Sequence, residues 1–228
     1  MIYENDSEDL YKDKSGEQNR KKEYSKLFIF ILFALAAQVL ALNPTSFNKM
    51  LENEVKASYK AIGEKNWLNL TDASHRHYNT IIVRSGFKQY FLDKVNRDTD
   101  DKNPLARLTA KLLPLVKRVT NNIQTLTYQI LHRANLLMIW LYILVPFALA
   151  QLVIGVYSWR IRAYTFGNKT KTRMLVIKKL IKGILVGVIV YFALPNFYPT
   201  AGAYIPFIAL LFASFLTSRY IATLQKHI

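Results

Sequence analysis

Few residues in this chain are suited to chemistry. The four histidines are His75, His77, His132 and His227. His75 and His77 stand two apart, and on a helix such positions point to different faces, so they do not chelate a metal together. The chain has no cysteine, which excludes thiolate zinc sites, disulfide frameworks and thiol nucleophiles. Neither a GxSxG elbow, an HExxH pair nor a glycine-rich phosphate loop occurs. The expectation is a protein that is not an enzyme, with no catalytic residue, no cofactor and no metal site.

The elements that would carry these residues are set by the apolar pattern. Apolar residues make up 51% of the 228 and are spread unevenly. They concentrate in residues 27–42 and again from Leu136 onward, in long stretches without charge. A soluble domain would interleave apolar and polar residues at helix or strand period. An all-α, polytopic membrane protein with about four transmembrane helices is therefore expected.

The first span, residues 27–43, is built on LFIFILFALAAQVLAL and is stopped by Asn43-Pro44. Val39-Leu40-Ala41 is similar to a signal-peptide cleavage site, but the charged leader, residues 1–26, is long for a signal peptide, so an uncleaved anchor is expected. The second span, residues 136–158, contains Pro146, which should kink it, and Gln151, which should face another helix and not lipid. The third and fourth form a hairpin over residues 183–217, turned by a connection that holds Pro195 and Pro199. About 20 apolar residues cross a bilayer comfortably, so the first and third spans are short. The interiors of all four lack Asp, Glu, Lys, Arg and His. Ion-coupled transporters place such groups there and often show inverted repeats, so a secondary transporter is disfavoured.

Charge orients these spans. Residues 1–101 hold 15 Lys/Arg and all 15 Asp/Glu, whereas residues 102–228 hold 16 Lys/Arg and no acid, so the net +16 resides there. The basic residues flank apolar spans, which points to phospholipid headgroups and away from direct nucleic-acid binding. The leader has six Lys/Arg, the loop 159–182 has eight, and the tail 218–228 has Arg219 and Lys226. The positive-inside rule puts both termini and that loop in the cytoplasm and residues 44–135 outside, since segments longer than about 60 residues translocate regardless of charge.

Residues 44–135 read as helical. Phe47, Leu51, Val55, Tyr59 and Ile62 recur at helical spacing, with Ser46 as N-cap and Gly63 at the end. A second helix is expected over residues 74–92, followed by a polar break at 96–104. Beyond it Leu105, Leu108, Leu112, Leu115, Val119, Ile123, Leu126 and Ile130 alternate three and four apart. Such a stripe packs on its own domain or on the membrane surface, or else it serves association with a partner or a second copy. Gly183 and Gly187, with Gln151, are candidates for close helix packing. The basic loop, with Trp159, Arg160, Arg162, Lys178 and Lys179, sits at the inner headgroup level, where it sets topology or docks an acidic partner.

Three stretches and their order carry a resemblance. The first is His77-Tyr78-Asn79-Thr80-Ile81-Ile82-Val83-Arg84-Ser85-Gly86, followed by the amphipathic run into the second span. The second is Trp159-Arg160-Ile161-Arg162-Ala163-Tyr164-Thr165-Phe166. The third is the hairpin with its ending Ala222-Thr223-Leu224-Gln225-Lys226. Over residues 27–228 the layout resembles the integrating conjugative element membrane proteins, a family of unknown function encoded among conjugative transfer genes of Gram-negative bacteria. Relatives often carry an acid before the glycine ahead of the W-R-I-R turn, whereas here Ile154 precedes Gly155. The resemblance implies a bacterial inner-membrane part in conjugative DNA transfer, near a type IV secretion apparatus, associating with other transfer proteins. The alternatives are a small channel or transporter-like protein, or an exclusion factor acting in recipient cells.

Overall fold

The computed structural model describes residues 25–86, 89, 104–163, 171–195 and 198–224, with side chains for all of these but 104–113, 162–163 and 171–172. The described residues are helical, with no strand among them. The helices are α1 (Ser25–Ala41), α2 (Pro44–Tyr78), α3 (Pro104–Ala163), α4 (Lys171–Ala193) and α5 (Pro199–Ala222). A π turn, Asn79–Val83, extends α2.

Local chemistry explains the breaks. The N-cap of α2 is Asn43, not Ser46: its Oδ1 accepts from the Thr45 backbone N–H at 3.3 Å and the Thr45 hydroxyl at 3.1 Å. Pro44 follows at the first helical position, where its missing N–H costs nothing. Gly63 interrupts α2 with φ 77° and ψ 167°, a conformation that side chains with a Cβ rarely adopt. It folds the helix into two arms, residues 44–62 and 64–78. Across the bend the Trp67 indole donates to the Val55 carbonyl at 3.1 Å and packs edge-on to Tyr59 at 5.4 Å. The second arm thus begins ten residues before the expected start at 74, because Trp67, Leu70 and Ser74 form one inward face behind the polar Glu64-Lys65-Asn66. Residues 90–92 of the expected helix lie outside the described residues. At the other end Pro199 starts α5, as the proline-bounded connection predicts.

The spine is α3, 60 residues long, which at about 1.5 Å per residue is some 90 Å, three times the hydrocarbon thickness of a bilayer. It passes through Pro114 and Pro146 as one helix, and the expected boundary between residues 135 and 136 falls within it. The first arm of α2 runs parallel to α3 and the second returns antiparallel. At the tip of the hairpin Ile62 and Leu70 share a core with Leu136 and Trp140 of α3, flanked by Phe207 and Leu210 of α5. The α2 hairpin and the apolar helices are therefore one packed body. α5 runs parallel to α3: Trp140 donates to the Ala203 carbonyl at 3.1 Å, and 15 residues on in both helices Gly155 meets Ser218. α4 runs antiparallel to α5, with Lys178 against Tyr220, and its C-terminal end reaches Arg133 of α3.

The expectation of four spans is corrected. Among the described residues two helices are long and apolar enough to cross a membrane, Pro114–Ile161 and Pro199–Ala222, or up to three crossings if α1 and α2 count as one bent span. α1 and α2 meet at a bend of 117°. In α4, Lys178, Lys179 and Lys182 leave residues 183–193 as the longest uncharged run, about 16 Å of helix, or half a bilayer core.

Candidate functional site

The inward face of α3 over its first half is polar. Asn122, Thr125, Gln129, His132 and Arg133 are all buried, and they recur at helical spacing. Each meets a partner from another helix. Thr125 donates to Asn48 Oδ1 at 2.6 Å, and Asn122 Nδ2 donates to the Val39 and Leu42 carbonyls at 2.9 and 2.8 Å. On the flank, the second arm of α2 adds Tyr78, whose hydroxyl donates to Gln124 at 3.4 Å, and Ser74, whose Oγ accepts from Asn135 at 3.1 Å. The Tyr78 and Tyr128 rings pack edge-on at 5.8 Å.

At the centre of this seam lies an ion pair. Arg133 and Glu54 are 1% and 0% exposed. The guanidinium grips the carboxylate at two points, Nε to Oε1 at 2.6 Å and Nη2 to Oε2 at 2.9 Å, while Gln129 Nε2 donates to Oε2 at 3.1 Å. The remaining guanidinium nitrogen donates to the carbonyls of Tyr191 and of Leu194, the latter at 2.7 Å. The Tyr191 ring lies 4.7 Å from the guanidinium carbon. Two charges taken from water cost several kcal/mol each, roughly, and are stable only when geometry and extra hydrogen bonds compensate. Here both conditions hold, and the pair joins α2, α3 and α4 at one point.

The same chemistry caps two helix ends. The last carbonyls of a helix have no partner within it. For α4 these are met by Arg133 and by Gln38, whose Nε2 donates to the Ala193 carbonyl. For α1 they are met by Arg118, which donates to the carbonyls of Ala41 and Leu42, and by Asn122. A cation at a helix C-terminus also complements the helix dipole. Three side chains of α3 thus fix where α1 and α4 end.

A serine–histidine contact in the seam is not a catalytic pair. Ser58 Oγ lies 3.2 Å from His132 Nε2, but the hydroxyl donates to the Val55 carbonyl at 2.7 Å. With its one proton directed at Val55, the serine has only an acceptor to offer an Nε2–H imidazole, the reverse of nucleophile activation. Both residues are fully buried, and among the described residues His132 Nδ1 has no partner to orient the ring. Among the described residues no three of His, Asp or Glu gather as metal ligands would.

The residues singled out from sequence lie as follows. Leu115 is exposed, and Val119, Ile123 and Leu126 are half-buried beside the polar face; the side chains of Leu105, Leu108 and Leu112 lie outside the described residues. Gly183 and Gly187 are exposed, and a Cβ built on either meets nothing within 4 Å. Gln151 and Trp159 are half-buried, Arg160 and Lys179 are exposed, and Lys178 holds its ammonium 5.7 Å from the Tyr220 ring centre; the side chain of Arg162 lies outside the described residues. The seam brings together none of these. The glycine that does permit close approach is Gly155, whose Cβ would stand 2.9 Å from the Ser218 carbonyl oxygen. Sequence reasoning missed Glu54, Arg133 and Gly155. The one available signal was the 3–4 spacing of polar side chains from Asn122 to Arg133, next to the apolar stripe.

Neither curated proteins nor solved structures give a match to the chain. The family described as IncC plasmid conjugative DNA transfer protein DtrJ-like matches residues 29–225, a stretch that holds the whole seam and both capped helix ends, and the chain belongs to this DtrJ-like family.

Proposed function

We propose that this chain is a non-enzymatic component of the conjugative DNA-transfer apparatus, set in the bacterial inner membrane and acting by association with other transfer proteins. The observation that carries the reading is the seam itself. It spends the most demanding side chains of the chain, a buried ion pair and two sets of helix caps, on holding helices together. Family membership supports the transfer context.

The arrangement also supports the orientation. The C-terminal ends of α1 and α4 meet α3 at the same end of the molecule, while Arg160, Lys178 and Arg219 gather at the other. Lysine and arginine mark the cytoplasmic side, so the seam faces out and the C-terminal end of α5 faces in. Deletion of the gene with complementation, scored by donor mating, tests the role; affinity capture of the full chain in mild detergent tests the association. Lost mating restored by complementation, with transfer proteins recovered on capture, is the expected result. Normal mating after deletion, with none recovered, overturns it.

A further inference from the structure

Between α4 and α5, at the end away from the seam, a cleft of about 320 Å³ opens. Its walls are apolar, formed by Val176, Ile177, Leu216 and Ala222, and it is flanked by Arg173 and Arg219, both exposed. Arg219 stacks its guanidinium over Phe215 at 5.1 Å, which orders the side chain without neutralising it. Residues 102–228 contain no acid. The ion pairs among the described residues are Lys56–Glu52, Arg76–Asp72 and Arg133–Glu54, all remote from this end. Leu175, Val176, Leu180 and Phe212 nearby are half or more exposed, a surface suited to hydrocarbon.

We propose that this cleft holds one anionic phospholipid, its phosphate bridged by Arg173 and Arg219 and an acyl chain laid against Val176, Ile177 and Leu216. The inference rests on the membrane reading above. Guanidinium pairs suit phosphate oxygens because each offers two parallel N–H donors. An acidic protein segment would satisfy the arginines, but not an apolar cleft that continues into lipid-exposed helix faces.

The test uses the full chain purified in mild detergent and exposed to equimolar phosphatidylglycerol and phosphatidylcholine, with retained lipid read by native mass spectrometry. Wild type should retain phosphatidylglycerol in preference on the order of tenfold, as expected for two cations at a headgroup. R173Q/R219Q should lose the preference and R173K/R219K should keep part of it, all three melting alike. Excess inorganic phosphate should not displace the lipid, because the acyl chain is also held. Equal retention of both lipids by wild type, an unchanged preference in R173Q/R219Q, or displacement by inorganic phosphate would each overturn the proposal. Carbonate extraction separates the two readings: a chain that stays in the membrane but shows no preference refutes the lipid site alone, and a chain that is extracted refutes the membrane reading.

Discussion

The two halves of α3 hold their neighbours by different means. Over residues 118–133 the inward side chains are polar and each contact is directional: a carboxylate gripped at two points, a carbonyl capped, an amide met. Over residues 136–155 the inward contacts are Leu136, Trp140 and Gly155, which work mainly by shape, with the Trp140 indole also donating to the Ala203 carbonyl. Apolar surface gains nothing by leaving lipid for another apolar helix, so helices in a membrane rely on close backbone approach. On the membrane placement proposed above, the seam lies where the spine leaves the bilayer, and there polar networks can specify a single arrangement, provided every charge is matched. The contrast predicts that damage to the first half is severe but repairable by removing both charges, and damage to the second depends on volume.

The largest effect is therefore expected from Arg133→Met, which leaves Glu54 buried and uncompensated and frees two carbonyls at the end of α4. The cost should be about 3–5 kcal/mol, read as loss of folded chain in detergent. Replacing both partners, as E54L/R133M, should recover much of that. A double variant as unstable as the single one would show that capping α4, and not the buried charge, is the main use of Arg133.

Gly155→Val comes next. Its Cβ would press on backbone, Ser218 O at 2.9 Å and Ser218 Cα at 3.1 Å, which cannot swing aside. Overpacking of this kind costs about 1–3 kcal/mol, and a cysteine pair placed across α3 and α5 should cross-link less efficiently in the variant. Unchanged cross-linking and stability would break the comparison at its apolar half. Trp140→Phe keeps the ring against Phe207 but removes the hydrogen bond to the Ala203 carbonyl. A shift in melting equivalent to about 1 kcal/mol is expected, the worth of one buried hydrogen bond.

These residues differ in how far sequence reveals them. Gly63 and the Pro195–Pro199 turn were legible because their signals are local: a backbone that needs positive φ, and a ring that stops one helix and starts another. The order of motifs pointed to a conjugative-transfer family, and the match over residues 29–225 bears that out. The seam was not legible, because Glu54 and Arg133 are 79 residues apart and neither position looks unusual alone. Asn122, Thr125 and Gln129 each directly precede a member of the apolar run, Ile123, Leu126 and Ile130. Periodicity locates the apolar face and says nothing of which neighbouring face a partner helix takes. The span count failed for a related reason. Hydropathy sees that residues 183–194 are apolar, but not that Lys178 and Lys182 share their helix or that α1 turns away at 117°.

The smallest effect on the fold is expected at Gly187. It is exposed, its Cβ would meet nothing within 4 Å, and leucine has the better helix propensity. Gly187→Leu should leave the melting of the isolated chain within about 0.5 kcal/mol of wild type. That makes it the cleanest probe of the face shared by Gly183 and Gly187. If donor mating or the size of the detergent-solubilised particle changes while melting does not, this face meets another chain, because nothing among the described residues uses its smoothness. If stability falls instead, α4 packs more closely in the bilayer than its antiparallel contact with α5 shows. In either case the result separates glycines that pack within the chain, as Gly155 does, from those kept small for a neighbour.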